Sequence, residues 1–283
     1  MQSVRSLLEW GKKTLETVLP KQEAAFEAAY LLCEFLDVDK SYLYTWPEKE
    51  VHEDICTLYQ SALEKRKTGV PVAYILGYKE FWSMRFKVSE HTLIPRPETE
   101  VLVETVLQTL HFENLSLLEL GTGTGAIACA LARMRPSWAI QAVDLSESAL
   151  QIANENVTYH QLTNIKLYQS NWFEKVPAQH FDAIVSNPPY VEVDSPHLNS
   201  DTKFEPALAL FSGEKGLGAI THIIKQATLY LKPNGMLCVE HGFQQSQAIH
   251  RLLIDHGFKK FQTIKDYSDL DRVTIGYKNS STV

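Results

Sequence analysis

The chain has 283 residues, of which 45% are hydrophobic and 22% are charged, and its formal net charge is −7. This composition is that of a soluble globular protein, and the length predicts one large domain together with a smaller one. The acidic balance disfavours tight non-specific binding to nucleic acids, and no apolar run approaches the ~20 residues that a membrane-spanning helix needs.

The cysteines and histidines show no spacing that is typical of a metal site. The four cysteines are scattered without a CxxC pair, and the ten histidines contain no HxxxH pattern. We therefore expect no bound metal and no disulfide framework, but reduced and mostly buried thiols. The N-terminal stretch carries acidic side chains and lacks the apolar core of a signal peptide, so we expect a cytoplasmic protein.

Residues 1–70 show the spacing of amphipathic helices. Apolar residues recur at helical spacing in three runs, Leu8–Leu19, Ala25–Leu36 and Ile55–Ala62. The stretch SYLYTWPEKE separates the later two runs, with Pro47 as a helix breaker. The sequence therefore predicts a small helical domain over residues 1–70.

Residues 71–95 change to the two-residue period of a strand. From Trp82 to Val88, apolar residues alternate with polar ones, which is typical of one arm of a half-buried β-hairpin. This arm leads into the proline-rich turn HTLIPRPETE and then into a predicted helix at about 98–110. We therefore expect residues 71–95 to form a β-hairpin connector between two domains.

Residues 96–283 are predicted to form an α/β domain. Strand-like and helix-like segments alternate after residue 115, and the strand-like ones are LSLLEL, WAIQAVD, IKLYQ, FDAIVS, MLCVE, FQTI and RVTIGY. Strands separated by helices form a mostly parallel sheet that is covered on both faces. Right-handed crossovers then place the loops at the carboxyl ends of the strands along one edge, where ligands bind.

A glycine-rich loop follows the first of these strands. The sequence LLELGTGTGAIA places Gly121, Gly123 and Gly125 between a strand and a helix, and Asp144 ends the next strand. Glycine lets the backbone approach a ligand closely, and a carboxylate at the end of that strand can bind ribose hydroxyls. A dinucleotide, S-adenosylmethionine (SAM) and a packing turn without a ligand all fit this arrangement. Asp144 could also cap the next helix, although Ser146 is better placed for that.

The stretch SNPPY, which ends the strand FDAIVS, narrows these alternatives. An enzyme that methylates a planar NH₂ group must accept hydrogen bonds from both of its hydrogens. The side-chain oxygen of Asn187 can accept one and the carbonyl of Pro188 the other, while Tyr190 can stack on the flat group. A rigid surface turn is the alternative interpretation. The position beside a glycine loop favours methyl transfer, because hydride transfer calls for no such element.

Two kinds of planar nitrogen then remain possible as methyl acceptors. Adenine N6 in a nucleic acid must be flipped into a basic channel, which the net charge of −7 and the lack of a lysine and arginine cluster disfavour. The side-chain amide of a glutamine is the other candidate.

The connector and the motifs after it resemble a known family, the bacterial release-factor glutamine methyltransferases (PrmC/HemK). The similar segment is TGVPVAYILGYKEFWSMRFKVSEHTLIPRPETE, residues 68–100, followed in order by ELGTGTGAIA, AVDLSESAL, NWF, VSNPPY, FEPALAL, EHG and DRV. Residues 1–60 resemble the family only in being helical. The resemblance implies a Rossmann-like SAM-dependent methyltransferase fold with a seven-stranded sheet. It also implies methylation of N5 of the glutamine in the Gly-Gly-Gln loop of class-1 peptide-chain release factors, with S-adenosylhomocysteine as the other product.

The same resemblance implies roles for individual residues. The residues implied to bind SAM are Glu119, Gly121, Thr122, Gly123, Thr124, Gly125, Asp144, Trp172 and Asn187, with Asp144 at the ribose and Trp172 beside the adenine. The residues implied to hold the glutamine are Asn187, Pro188, Pro189 and Tyr190, of which all but Pro189 are assigned as catalytic. Many relatives have aspartate where Glu119 stands. The helical domain would help to bind the release factor, and we expect a monomer without membrane association or stable nucleic-acid binding.

Some residues of the matching motifs have no assigned role. Arg96 and Glu98 in IPRPETE form either a structural ion pair or part of the substrate rim. His241 in EHG follows a strand and could face the site, but we do not assign it as a base. Lys203 directly precedes FEPALAL and Phe204 begins it, and neither receives a role.

Overall fold

The structure is a computed structural model that describes residues 2–192 and 200–280. These residues form two compact units: the first contains residues 2–77 and 200–204, and the second contains residues 78–192 and 205–280. The four cysteines are buried and free, as expected. Within the described ranges, no helix is both long and apolar enough to cross a membrane.

The first unit is mainly helical. Its elements are β1 (Gln2–Ser3), α1 (Val4–Leu15), α2 (Lys21–Leu36), α3 (Lys40–Thr45), β2 (Glu50–Val51), α4 (Glu53–Lys67) and α5 (Val72–Leu76). Buried leucine and alanine side chains of α1, α2 and α4 form one common core, which is what their helical spacing predicts. The short helix α3 begins one residue before SYLYTWPEKE and was not predicted, since six residues are too few to show a helical period.

Arg66 is buried in the first unit beside two carboxylates. Its guanidinium donates to both oxygens of Glu27, at 2.6 Å and 3.1 Å, and to Asp201 Oδ1 at 2.9 Å. Because a buried charge is tolerated only when it is paired, these contacts hold the 3₁₀ turn Ser200–Phe204 against the end of α4.

The second unit begins with the predicted β-hairpin. Strand β3 (Tyr78–Phe81) pairs antiparallel with β4 (Met84–Lys87), and buried and exposed residues alternate along β4. The two turn residues, Trp82 and Ser83, have φ angles of 52° and 53°, as expected for a tight two-residue hairpin turn. The amide of Trp82 donates to Glu100 Oε1 at 2.7 Å, which ties the hairpin to the following helix.

Strands and helices alternate through the rest of the second unit. After the 3₁₀ turn Pro97–Thr99, its elements are α6 (Glu100–Thr109), β5 (Ser116–Leu120), α7 (Ala126–Met134), β6 (Ala139–Asp144), α8 (Glu147–Tyr159), β7 (Ile165–Gln169), β8 (Phe181–Ser186), α9 (Ala207–Leu210), α10 (Gly218–Tyr230), β9 (Leu231–Glu240), α11 (Ser246–Asp255), β10 (Phe258–Lys265) and β11 (Asp271–Lys278). The predicted strands are confirmed, although β9 begins earlier than MLCVE. The four-residue helix α9 in FEPALAL was not predicted, because it is barely one turn long.

The seven strands form one mostly parallel sheet in the order β10-β11-β9-β8-β5-β6-β7. Only β11 runs antiparallel to its neighbours in this sheet. Side chains of α6 and α7 pack on one face, and side chains of α10 and α11 pack on the other. The predicted Rossmann-like fold class is therefore confirmed.

Four neighbouring strands of this sheet end at one edge. The glycine loop follows β5, Asp144 ends β6, the NPPY turn follows β8, and Glu240 ends β9. Because parallel strands present their carboxyl ends together, this edge is where the fold predicts a binding site.

Candidate functional site

The glycine loop turns sharply between β5 and α7. Gly121 and Gly125 have φ angles of 72° and 79°, in the left-handed region that residues with a Cβ rarely adopt. The amides of Gly121 and Thr122 both donate to the carbonyl of Val143 at 2.9 Å, which binds the loop to β6. A Cβ on Gly121 would lie 3.6 Å from the ring of Trp172. The loop therefore exposes backbone, not side chains, along this edge of the sheet.

Glu119 lies behind this loop. It is fully buried, and its Oε2 accepts a hydrogen bond of 2.9 Å from the Thr122 hydroxyl. Within the described residues, its Oε1 has no hydrogen-bond partner. Burial raises the pKa of Glu119 to about 8, so the carboxyl is largely protonated at neutral pH. These contacts favour a supporting role, and direct contact between Glu119 and SAM stays a prediction.

Asp144 stands beside the loop at the end of β6. Its Oδ2 accepts from the amide of Gly123 at 2.8 Å, and its Oδ1 accepts from the amide of Ser146 at 2.9 Å. Burial raises the pKa of Asp144 and the backbone donors lower it. Each oxygen keeps a second lone pair, so the carboxylate can still accept hydrogen bonds from a ligand. Ser146 caps α8, as predicted, since its hydroxyl accepts from the amide of Ala149 at 3.2 Å.

The NPPY turn presents an amide oxygen at the same edge. Asn187 Nδ2 donates to the Thr99 hydroxyl oxygen at 3.1 Å. Among the residues that the structure describes, none donates a hydrogen bond to Asn187 Oδ1. Pro188 is buried and Pro189 is half-buried, so the turn is firmly held and offers no backbone donors at these two positions.

Tyr190 is held at both its side chain and its backbone. Its hydroxyl donates to Glu240 Oε1 at 3.0 Å, and burial together with this carboxylate raises the pKa of Tyr190 well above its ordinary value. Its carbonyl accepts from Gln245 Nε2 at 3.0 Å. A Cβ on Gly216 would lie 1.9 Å from that carbonyl, so only glycine fits there. The turn therefore has little freedom to move.

A cavity of about 560 Å³ is lined by both the glycine loop and the NPPY turn. This volume is within the range of ~300–1,000 Å³ that is usual for small-molecule sites. The predicted site residues that line it are Gly121, Thr122, Gly123, Thr124, Asp144, Trp172, Asn187 and Pro189. The predicted residues outside the lining are Glu119, Gly125, Pro188 and Tyr190. The fold thus brings most of the predicted SAM residues and the key amide to one cavity.

One wall of the cavity can receive a flat apolar group. Trp172 lines it, and its ring lies 6.5 Å from the ring of His222, measured between centroids. Leu145 also lines the cavity and is 44% exposed. Our sequence analysis did not single out Leu145, although an apolar residue directly after the strand-ending Asp144 is a signal that could have found it.

Arg96 pairs with a residue that the sequence analysis did not single out. Its guanidinium contacts the carboxylate of Glu205, and Glu205 Oε2 also accepts from the amide of Ile94 at 3.0 Å. Glu205 belongs to the matching motif FEPALAL, and its carboxylate is buried. The pair supports the structural interpretation of Arg96, which we had considered with Glu98 as its partner. Arg96 nevertheless also lines the cavity.

His241 does not line the cavity. It is fully buried, with Nδ1 2.9 Å from the carbonyl of Gly242 and Nε2 2.8 Å from the Thr274 hydroxyl. Burial lowers the pKa of His241, which keeps the ring neutral. Its contacts are those of a packed core histidine.

Comparison with known proteins decides the family. Residues 6–77 match the model of the PrmC N-terminal domain, and residues 97–204 match that of the methyltransferase small domain. The release factor glutamine methyltransferase of Shewanella oneidensis is 42% identical to this chain over 274 residues, which cover 96% of this chain and 95% of that protein. This chain belongs to the release factor glutamine methyltransferase family.

Other relatives agree with this membership. The release factor glutamine methyltransferase of Escherichia coli K12 is 38% identical over 268 residues, 94% of this chain and 97% of that protein. A solved methyltransferase from Pyrococcus furiosus shares the fold, with a TM-score of 0.54 and 20% identity over 78% of this chain and 98% of that one. The family resemblance of the connector and motifs is therefore confirmed, and the release factor glutamine methyltransferase family extends over both units.

Proposed function

We propose that this protein transfers the methyl group of SAM to the side-chain amide nitrogen (N5) of the glutamine in the Gly-Gly-Gln motif of class-1 release factors, and so modulates translation termination. The single observation that carries the proposal is Asn187 Oδ1, which accepts no hydrogen bond from the described residues and belongs to a residue of the cavity that the glycine loop also lines. The curated relatives are named for activity on a release factor glutamine. They do not favour the alternative, methylation of adenine N6 in a nucleic acid.

The proposed chemistry is a direct displacement. Bound SAM supplies a methyl group that is activated by a positively charged sulfur. The amide nitrogen of the glutamine, held by Asn187 and Pro188, would take this methyl group, and SAM would leave as S-adenosylhomocysteine. The nitrogen then loses one hydrogen to water as a proton. The chain needs no strong base for this step, because the nitrogen is already cationic when the proton leaves.

The NPPY turn holds the acceptor amide in this proposal. The Oδ1 of Asn187 accepts one N–H of the glutamine, and the carbonyl of Pro188 accepts the other. When both hydrogens are held, the nitrogen points at the methyl group. The amide has then already lost its rotational freedom on binding, before the methyl transfer takes place. Pro188 and Pro189 keep competing N–H donors away, and Tyr190 packs beside the flat amide, fixed by its bond to Glu240.

The glycine loop and its neighbours bind SAM in this proposal. The loop glycines have positive φ angles and no Cβ atoms, so the loop backbone can approach SAM closely. Asp144 accepts hydrogen bonds from the ribose hydroxyls, and Trp172 and Leu145 pack against the adenine. Glu119 supports the loop from behind through Thr122. These residues therefore fit a nucleoside with a flat base and free hydroxyls.

The first unit helps to bind the release factor in this proposal. It exposes the large side chains of Trp10, Phe26, Tyr44 and Trp46, with exposed fractions between 37% and 64%. Exposed aromatic residues are enriched where proteins contact one another.

Several further assignments stay predictions. They are the segment limits 1–70, 71–95 and 96–283, the monomeric state, the lack of stable nucleic-acid binding and the cytoplasmic location.

A labelling experiment tests the proposal. The purified protein is incubated with methyl-labelled SAM and, separately, with a class-1 release factor, with the same factor in which the Gly-Gly-Gln glutamine is replaced, and with duplex DNA. We expect label on the intact factor alone. Label on DNA would make adenine the acceptor, and label on the substituted factor would place the methyl group on another residue.

A further inference from the structure

Thr99 stands at the start of α6, but it does not act as a helix cap. Threonine at this position normally uses its hydroxyl to accept a hydrogen bond from an amide of the first turn. Here Thr99 makes no such bond, and its φ and ψ angles of −68° and −19° are helical. The residue is 95% buried and lines the cavity. Its hydroxyl is therefore available for contacts across the site.

The hydroxyl of Thr99 meets the side chain of Asn187. Asn187 Nδ2 donates to Thr99 Oγ1 at 3.1 Å, although 88 residues separate the two in sequence. An asparagine amide has two sides of nearly equal shape, one a donor and one an acceptor. Only one of its two orientations leaves Oδ1 free to accept a hydrogen bond from a substrate. A hydroxyl alone does not select this orientation, because it can either donate or accept.

Glu240 determines whether the Thr99 hydroxyl acts as a donor or as an acceptor toward Asn187. Ser186 at the end of β8 pairs with Val239 of β9, and Asn187 and Glu240 are the residues that directly follow this pair. Burial raises the pKa of Glu240 to about 7, while the nearby Thr99 hydroxyl lowers it and so favours the ionised form. The ionised carboxylate only accepts hydrogen bonds, so it draws the Thr99 hydrogen and leaves the Thr99 oxygen as an acceptor for Asn187 Nδ2.

We propose that Thr99, oriented by Glu240, is a positioning residue that keeps Asn187 Oδ1 turned toward the nitrogen to be methylated. The inference rests on the proposed function, because it gives that reaction one more essential residue. Tyr190 also donates to Glu240, at 3.0 Å. One buried carboxylate thus organises two residues of the NPPY turn.

The Thr99→Val variant tests the inference. Valine keeps the shape of threonine, but it would remove the hydrogen-bond acceptor that Thr99 offers to Nδ2 of the half-buried Asn187. The amide then prefers to turn its NH₂ group into the cavity, so the productive orientation becomes rare. We expect kcat to fall roughly tenfold or more, the effect of one unpaired donor. The KM for the release factor and the Kd for SAM should change by less than about threefold, since neither binding surface loses a contact.

Two further variants separate positioning from packing. Thr99→Ser restores the hydroxyl and should return kcat to within about threefold of the unchanged protein. Thr105→Val is the matched control, because Thr105 is a buried threonine of the same helix whose hydroxyl donates to the carbonyl of Val101 at 2.7 Å. This control should keep kcat. Its thermal unfolding temperature shows how much of any loss is due to destabilisation.

The outcomes distinguish this inference from the proposed function. If the unchanged protein methylates the factor and Thr99→Val keeps its kcat, the inference is wrong and the proposed function stands. A rise in KM without a fall in kcat would make Thr99 a substrate contact and would also overturn the inference, as would an equal kcat loss in Thr105→Val. If the unchanged protein labels no release factor, the proposed function itself is wrong and the inference with it.

Discussion

The glycine loop and the NPPY turn follow neighbouring strands, β5 and β8, but they are built in different ways. The loop takes its shape from backbone conformation, through glycines with positive φ angles. The turn takes its shape from side-chain hydrogen bonds, Asn187 to Thr99 and Tyr190 to Glu240. A fully buried glutamate lies behind each of them, Glu119 behind the loop and Glu240 behind the turn.

This difference separates two tasks within one cavity. A backbone cradle recognises the general shape of a ligand, whereas a hydrogen-bonded side chain selects which atom reacts. Changes in the turn should therefore alter the rate of methyl transfer, and changes around the loop should alter the affinity for SAM or the stability of the fold.

Asn187→Ala should have the largest effect. It removes the acceptor for one N–H of the glutamine, and we expect kcat to fall by about 10²–10³-fold, as when one preorganised donor or acceptor is lost. The fold should stay unchanged, since the side chain makes one described hydrogen bond, to Thr99, and any loss of SAM affinity should be much smaller than the loss in kcat. Single-turnover rates with labelled SAM measure the loss. A near-normal rate would show that Asn187 does not hold the acceptor.

Asp144→Ala should weaken the binding of SAM. Losing the carboxylate that accepts the ribose hydroxyls should weaken SAM binding by ~10- to 100-fold, the range for a charged hydrogen-bond acceptor. Affinity for the release factor should hardly change. Isothermal titration with each ligand measures both constants. Equal losses for the two ligands would indicate a misfolded protein and contradict the division between loop and turn.

Glu119→Gln should change how stability depends on pH. The pKa of Glu119 is raised from 4.5 in the unfolded chain to about 8 in the folded protein. Between these values the unfolded chain releases the proton while the folded protein keeps it, so this group makes the fold less stable as pH rises from 4.5 to 8. Glutamine does not titrate and removes that loss.

The stability of Glu119→Gln relative to the unchanged protein should rise by on the order of 4 kcal/mol from pH 4.5 to pH 8, since a tenfold change in proton affinity is worth about 1.4 kcal/mol. The poorly paired amide of the variant lowers its stability by the same amount at every pH, so the change with pH is the quantity to compare. Urea unfolding of both proteins at several pH values checks this. Parallel stability curves for the two proteins would show that Glu119 does not keep its proton on folding.

Ser146→Ala should have the smallest effect. Its hydroxyl caps α8 through the amide of Ala149, so its loss should lower the free energy of unfolding by about 1 kcal/mol. The Kd for SAM should stay within about twofold, because Asp144 keeps its hydrogen bond to Gly123. Unfolding and titration experiments on this variant separate capping from binding. A tenfold loss of SAM affinity would mean that Ser146 itself belongs to the ligand site.

Local patterns predicted the strands and the site motifs. The strands are short, mostly apolar runs because a parallel sheet is buried on both faces, and the helix-like segments between them identify them without any long-range contact. Helices α3 and α9 were not predicted, because each is too short to show a helical period. The contacts Asn187–Thr99 and Arg96–Glu205 span 88 and 109 residues, and no spacing rule reaches across such distances.

Residue type and local period are enough to predict the order of the longer helices and strands, the glycine loop, Asp144 and the NPPY turn. They do not show that Glu119 lies behind the cavity, that Tyr190 binds Glu240, or that Thr99 contacts Asn187. Hydrogen-bond partners and pKa values depend on burial and on neighbours in space, which form only when distant segments of the chain pack together.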